Sequence, residues 1–168
     1  WLQVQDLSSC LVGLAANPQE GDVVLDVCGA PGGKALHIAD LLKGTGHVQV
    51  RDVSEQKVNL INENIDRSGF SNLTAQVWDA LVLDEAFLEK ADIVLADLPC
   101  SGLGILGKKP DIKQKMKPEA LASLTKLQRE ILSVVWQYVK PGGILIYSTC
   151  TIDKQENEEN MTWFLEQF

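Results

Sequence analysis

Short apolar runs of strand length alternate along the chain with longer stretches whose apolar residues recur at helical spacing. Asp22 to Val27 reads as a buried strand, broken by the glycine-rich turn Cys28-Gly-Ala-Pro-Gly-Gly and followed by a helix from about Lys34 to Leu42. His47 to Arg51 predicts a second strand leading to Asp52, and Glu55 to Ser68 sets Val58, Ile61 and Ile65 on one helical face before Gly69 ends it. A third strand, Leu73 to Val77, stops at Trp78-Asp79, and the fourth and fifth are Ile93 to Ala96 and Ile144 to Tyr147. Pro118 opens a helix that continues through Leu121, Leu124, Leu127, Ile131, Leu132 and Val135 toward Val139, where Pro141-Gly-Gly is expected to end it. Trp1 to Ala16, with Leu7, Leu11, Val12 and Leu14, predicts an amphipathic helix packed on the domain edge. Strands alternating with helices in this way predict an α/β fold, with a mainly parallel sheet covered by helices on both faces.

Composition narrows the class. A chain of 168 residues with 45% hydrophobic content can bury one core, so residues 1–168 read as a single domain. No apolar run approaches the roughly 20 residues that span a bilayer, and the pattern of a secretory leader is missing, so a soluble cytoplasmic protein is expected. Four scattered cysteines without a CxxC pair, and two histidines at no ligand spacing from them, predict reduced thiols and no bound metal. A net charge of -8 speaks against strong non-specific nucleic-acid binding by this domain. The charge is uneven, however: Lys108, Lys109, Lys113, Lys115 and Lys117 face one acid, Asp111, whereas Asp153 to Glu166 reads as an acidic surface. Leu98 to Lys117 is too long for an idle connection in a compact domain.

Candidate chemistry gathers at the strand ends. Cys100 and Cys150 each follow an apolar run, and parallel strands would deliver both thiols to the crevice beyond the carboxyl edge of the sheet. Gly29, Gly32 and Gly33 would let the backbone approach a ligand and open the next helix tightly. Asp26, Asp52 and Asp79 end three successive strands, and an acid at the end of the second strand is where nucleotide folds hold a ribose hydroxyl. Three carboxylates along this edge would repel a pyrophosphate and suit a cofactor with a sulfonium, an ammonium and a ribose diol, which describes S-adenosylmethionine. The loop also matches neither GxGxxG nor GxxxxGK[ST].

At Asp26-Val-Cys-Gly-Ala-Pro-Gly-Gly-Lys, Asp97-Leu-Pro-Cys-Ser-Gly-Leu-Gly and Ser148-Thr-Cys-Thr, the chain resembles the RNA cytosine-5 methyltransferases of the Nol/Nop/Sun family. Trp1 to Ser9, the Lys108-Lys-Pro-Asp-Ile-Lys loop and Leu127-Gln-Arg-Glu-Ile-Leu look most like the bacterial Sun/Fmu (RsmB-type) branch, which acts on 16S rRNA. The resemblance implies a Rossmann-like class I fold with S-adenosylmethionine over Cys28, Gly29, Ala30, Pro31, Gly32, Gly33 and Lys34. It implies Asp52 at the ribose, Asp79 at the adenine amino group and Asp97 between cofactor and base. It also implies Cys150 as nucleophile and Cys100 as the group that helps break the adduct.

The same resemblance makes small-subunit rRNA the partner, places Lys34 near the reactive thiol, and sets Pro99, Lys108, Lys109 and Lys113 toward RNA. The chain then reads as a monomeric catalytic domain without the N-terminal helical RNA-binding domain and the closing sheet strands of such enzymes. Gly29, Ala35, Arg51 and Trp78 depart from the usual pattern, the last two beside the adenine pocket. Two other readings stand beside this one: a DNA cytosine-5 methyltransferase with Cys100 as nucleophile, and a non-catalytic RNA-docking module that keeps the fold.

Overall fold

A computed structural model describes residues 4–112 and 117–168. Five strands, β1 (Val23–Asp26), β2 (His47–Asp52), β3 (Leu73–Val77), β4 (Ala91–Asp97) and β5 (Val139–Ser148), form one sheet in the order β3-β2-β1-β4-β5. Every neighbouring pair is parallel. The long helices are α1 (Leu7–Ala16), α2 (Gly33–Leu41), α3 (Glu55–Ser68), α4 (Pro118–Val135) and α5 (Glu158–Gln167). Trp1, Lys113 and Lys115 lie outside the described residues.

The central strands are buried on both sides, and their period-2 alternation divides two cores. Val24, Ile93 and Leu95 join Ala35, Ile38, Leu42, Val58 and Ile61 under α2 and α3. Leu25, Val94 and Ala96 join Ile131, Leu132, Val135 and Tyr138 under α4. Ser54 caps α3 by accepting from Lys57 N at 3.2 Å, and Gly69 closes it in the left-handed region, which glycine enters without strain.

Two sequence expectations give way. The Leu7, Leu11 and Leu14 stripe of α1 is 75%, 56% and 55% exposed, and the helix packs instead through Gly13 and Ala16. Gly13 lies so close to His37 that a Cβ there would sit 2.6 Å from Nδ1, so the small-residue face was selected by the close approach of α1 to α2. Pro141-Gly-Gly does not end a helix. Helix α4 stops at Val135, a 3-10 turn covers Trp136–Tyr138, and the Pro-Gly-Gly run lies inside β5. Strand β5 is at the sheet edge, where proline's missing N–H costs no ladder bond, and its pairing with β4 shifts register between Ala91 and Ile93.

From β1 the chain steps outward through β2 to β3, then returns to β4 on the other side of β1 and continues to β5. The order reverses between β1 and β4, so their carboxyl ends, Asp26 and Asp97, flank the crevice where open α/β sheets take their ligands.

Candidate active site

The turn after β1 folds back over Asp26. Gly29 N donates to Arg51 O at 2.9 Å, and Gly32, at φ 104°, sets the first turn of α2 in a conformation that L side chains avoid. A Cβ on Gly29 would lie 2.7 Å from Asp26 Oδ2 and 2.3 Å from Val50 Cγ1, so any side chain here would displace Asp26 or Val50 from its present position. Beneath it, Asp26 is 1% exposed and, among the described residues, neither carboxylate oxygen has a hydrogen-bond partner of ordinary geometry. Burial pushes its pKa up to about 7, Asp97 pushes the same way, and Lys34 and the Cys28 amide pull against them without overcoming the rise. A buried carboxyl left this way is a socket for a hydrogen-bond donor or a cation.

The other acids differ in setting. Asp52 is buried; its Oδ1 accepts from Val53 N at 2.8 Å and meets Lys57 Nζ at 3.1 Å, while Oδ2 takes the Ala30 amide at 3.3 Å. It therefore ties the end of β2 to the glycine loop. Asp79 is exposed past the end of β3 and accepts from Leu81 N at 3.0 Å. Beside it Arg51 is buried, paired with Asp84 at 2.6 Å, and its guanidinium lies 5.0 Å from the ring centroids of both Trp78 and Phe87. Arg51 and Trp78, two of the four residues that depart from the family pattern, thus pack on each other, and through Asp84 they fasten the segment that carries Asp79.

The thiols meet. Cys100 Sγ and Cys150 Sγ are 3.1 Å apart, and Cys150 N donates to Cys100 Sγ at 3.2 Å. The hydrogen bond from Cys100 lowers the Cys150 pKa to about 7, with a smaller pull from Lys34, while burial and Asp97 oppose it. Cys100 is driven upward by that same bond and then by burial, so it keeps its proton. Cys28 is also pushed up, to about 12, by burial and then by Asp26 and Asp52, which leaves an inert thiol in the loop. Next to the pair, Asp97 Oδ2 accepts from Lys34 Nζ at 2.6 Å and Oδ1 from Ser148 Oγ at 2.7 Å. Motif position makes Lys34 the nearest cationic candidate for lowering the thiol's pKa; the structure puts the Cys100 hydrogen bond first and pairs Lys34 with Asp97.

The loop after Cys100 is built rather than slack. A 3-10 turn, Leu103–Ile105, brings Gly104 N to Cys150 O at 3.0 Å. Pro99 is exposed beside the thiols, whereas Lys108 pairs with Asp6 just ahead of α1, and Lys109 is exposed. The acidic stretch from Asp153 also holds a residue that sequence reasoning left on the surface. Glu156 is fully buried and accepts from Ser101 N at 2.9 Å and Gln128 Nε2 at 2.8 Å. Its only sequence signal is the spacing from Cys150 ahead of an amphipathic helix, which a solvated acid shares.

Residues 13–168 match the 16S rRNA methyltransferase RsmB/F family. Over 99% of its length the chain is 44% identical to the probable ribosomal RNA small subunit methyltransferase B of Bacillus subtilis strain 168, and it spans 37% of that protein. It is 40% identical to the ribosomal RNA small subunit methyltransferase B of Vibrio cholerae, again over 99% of its own length and 38% of the relative's. The crystal structure of NSun6 from Pyrococcus horikoshii with SFG superposes with a TM-score of 0.89 at 32% identity, covering 97% of this chain and 41% of that one.

Proposed function

This chain belongs to the 16S rRNA methyltransferase RsmB/F family, and we propose that it transfers a methyl group from S-adenosylmethionine to carbon 5 of a cytosine in small-subunit rRNA through a Cys150–cytosine adduct. The observation that carries the reading is the thiol pair itself: two cysteines 3.1 Å apart with opposite proton affinities, beside the Lys34–Asp97 pair. One thiol can attack at neutral pH while its neighbour holds a proton.

The pocket fits the cofactor. Asp26 has a buried carboxylate with no hydrogen-bond partner of ordinary geometry among the described residues, where the ammonium or a water bound to it would sit, and Gly29 lets the loop close directly over it. Asp52 retains lone pairs for the ribose hydroxyls, and Asp79 stands at the end of β3 for the adenine amino group. When bound, S-adenosylmethionine supplies an electrophilic methyl group on its sulfonium.

Carbon 5 of cytosine is a poor nucleophile until a thiolate adds at carbon 6. The Cys150 sulfur pair forms the S–C6 bond and the C5=C6 π pair moves onto the ring, so the difficult step is divided in two. Asp97 and Lys34 face the crevice where charge develops at N3, a contact worth most in the transition state. After methylation the C5 proton must leave so that the C5=C6 bond re-forms and Cys150 departs as thiolate. Cys100 suits that step. Once Cys150 is bonded to carbon, its charge and its hydrogen bond no longer raise Cys100, which can lose its proton to water and accept the one from C5.

RNA carrying 5-fluorocytidine tests the roles, because fluorine at C5 blocks release and leaves the adduct visible on a denaturing gel. Wild type and Cys100→Ala should form it and Cys150→Ala should not; the reverse would make Cys100 the nucleophile.

A further inference from the structure

Cys100 is held from both sides by contacts that the methyl-transfer chemistry does not use. On its amino side, Pro99 O accepts from Gln128 Nε2 at 2.9 Å; on its carboxyl side, Ser101 N donates to Glu156 Oε2 at 2.9 Å. Gln128 Nε2 donates to that same Glu156 oxygen at 2.8 Å, and Ser101 Oγ donates to Oε1. Ser101 Oγ also lies 2.7 Å from Thr151 Oγ1, next to Cys150. Asn160 completes the network by donating to Gln128 Oε1 at 2.8 Å. Glu156, Gln128 and Asn160 are fully buried and Ser101 is 2% exposed.

Removing a carboxylate from water costs several kcal/mol, and an apolar residue would fill the same volume without that cost. A carboxylate provides what an apolar residue does not: two acceptors in a fixed plane, one for the Ser101 N–H and one for its hydroxyl. Glu156 follows Cys150 in the chain yet grips the residue after Cys100, so it ties the two thiol segments to each other.

We propose that Glu156 is a positioning residue for the thiol pair: by gripping Ser101 directly and Pro99 through Gln128, it holds Cys100 Sγ against Cys150 Sγ. The inference rests on the reading of Cys150 as nucleophile for its meaning in turnover, though its geometry stands alone. Without the grip the loop carrying Cys100 relaxes, Cys150 loses its hydrogen-bond donor, and the group placed for release moves away from the base.

The sign of the effect separates this role from others. Taking away a nearby negative charge would by itself favour the Cys150 thiolate and lower its pKa. Loss of the grip does the opposite, because the contact with Cys100 is the leading cause of the depression; Asp97 and Lys34, the charged groups that face Cys150 among the described residues, stay in place. The reduced 168-residue chain is alkylated with iodoacetamide across a pH series, and modification of the Cys150 peptide is followed by mass spectrometry. Wild type should titrate near 7 and Glu156→Leu should move toward 9.0.

At neutral pH the shift cuts the thiolate fraction up to about fifty-fold, and the greater nucleophilicity of the more basic thiol returns part of this, so alkylation slows by up to about sixfold. Glu156→Gln keeps one planar acceptor for Ser101 N and Gln128 while Ser101 Oγ turns to Thr151, and should titrate like wild type. An unchanged or lowered value in Glu156→Leu overturns the proposal, as does a Gln variant that behaves like Leu. Should Glu156→Leu not fold, Gln128→Leu decides: it removes the half of the grip that holds Pro99 O, and the Cys150 value must still rise. A second readout is persistence of the adduct on unmodified cytidine RNA in Glu156→Leu. Failure of wild type to trap 5-fluorocytidine RNA would strike the methyl-transfer reading instead, leaving the thiol titration to judge the grip.

Discussion

Replacing Asp26 by Asn should erase a pH dependence of stability that the wild-type pocket carries. Burial raises this carboxyl from 3.8 to about 7, a difference of about 3 units, and at 1.36 kcal/mol per unit the proton is worth roughly 4 kcal/mol to the folded state. Below 3.8 the group is protonated in both states and its contribution is fully present. As pH rises from there to about 7 the unfolded chain ionises while the folded one keeps its proton, so stability drains away by up to about 1.4 kcal/mol per unit. Above about 7 both states are ionised and the loss is complete. The assay is urea unfolding of ligand-free wild type and Asp26→Asn at about pH 5, 6.5 and 8.

The difference between the two proteins should change by roughly 3 kcal/mol across that range, in favour of the variant as pH rises. A buried Asn amide with poor partners adds an offset of about 1–3 kcal/mol, but that offset does not depend on pH. Asp52, Asp97 and Lys34, the charged groups around Asp26, are present in both proteins and cancel. Two parallel curves would refute the account of Asp26 as a buried acid waiting for a partner. The same variant should bind S-adenosylmethionine about 10- to 100-fold more weakly by calorimetry, the loss of one charge-assisted contact.

Other consequences can be checked separately. Gly29→Ala forces a methyl to within 2.3 Å of Val50 Cγ1 and should lower stability by about 1–3 kcal/mol in a thermal melt; an unchanged melting temperature would mean that the loop does not close on Asp26 as described. Arg51→Leu leaves Asp84 without its cation at a largely buried site and should cost about 3–5 kcal/mol by urea unfolding, with part recovered in Arg51→Leu/Asp84→Leu. Adduct formation with 5-fluorocytidine RNA needs the Cys150 thiolate, so its single-turnover rate should climb as pH rises to about 7 and level off above; a rate flat from about pH 6 upward would remove the thiolate from the first step.

The fold was legible because both of its periodicities are strong. Val58, Ile61 and Ile65 repeat at helical spacing, and Val23 to Leu25 in β1 and Ile93 to Ala96 in β4 are unbroken apolar runs, as strands covered on both faces require. Helix α1 misled because hydrophobicity marks where burial is favourable, whereas the contact was set by how near two backbones come; Gly13 against His37 outweighs three leucines. Pro141-Gly-Gly misled for a related reason: the same residues stop a helix or ride on a sheet edge, and only the neighbouring strand decides. At the site, residues adjacent to a glycine turn or a strand end were visible. Glu156, Gln128 and Asn160 were not, since a polar residue in an acidic or amphipathic run carries no mark of being buried.

The two cysteines show where sequence reasoning stops in principle. Both follow apolar strands, and nothing in Pro99-Cys100-Ser101 or Thr149-Cys150-Thr151 orders their proton affinities. The order arises between them. Cys100 Sγ takes the Cys150 amide and shares its proton with the Cys150 sulfur, so lowering one pKa and raising the other are a single event seen from two sides. It follows that nucleophile and release group are properties of the pair and of what aligns it. On the proposed roles, Cys100→Ala should therefore weaken the attack of Cys150 as well as the release. A Cys100→Ala protein whose adduct forms at the wild-type rate at neutral pH would show that Cys150 owes its reactivity to something other than its neighbour.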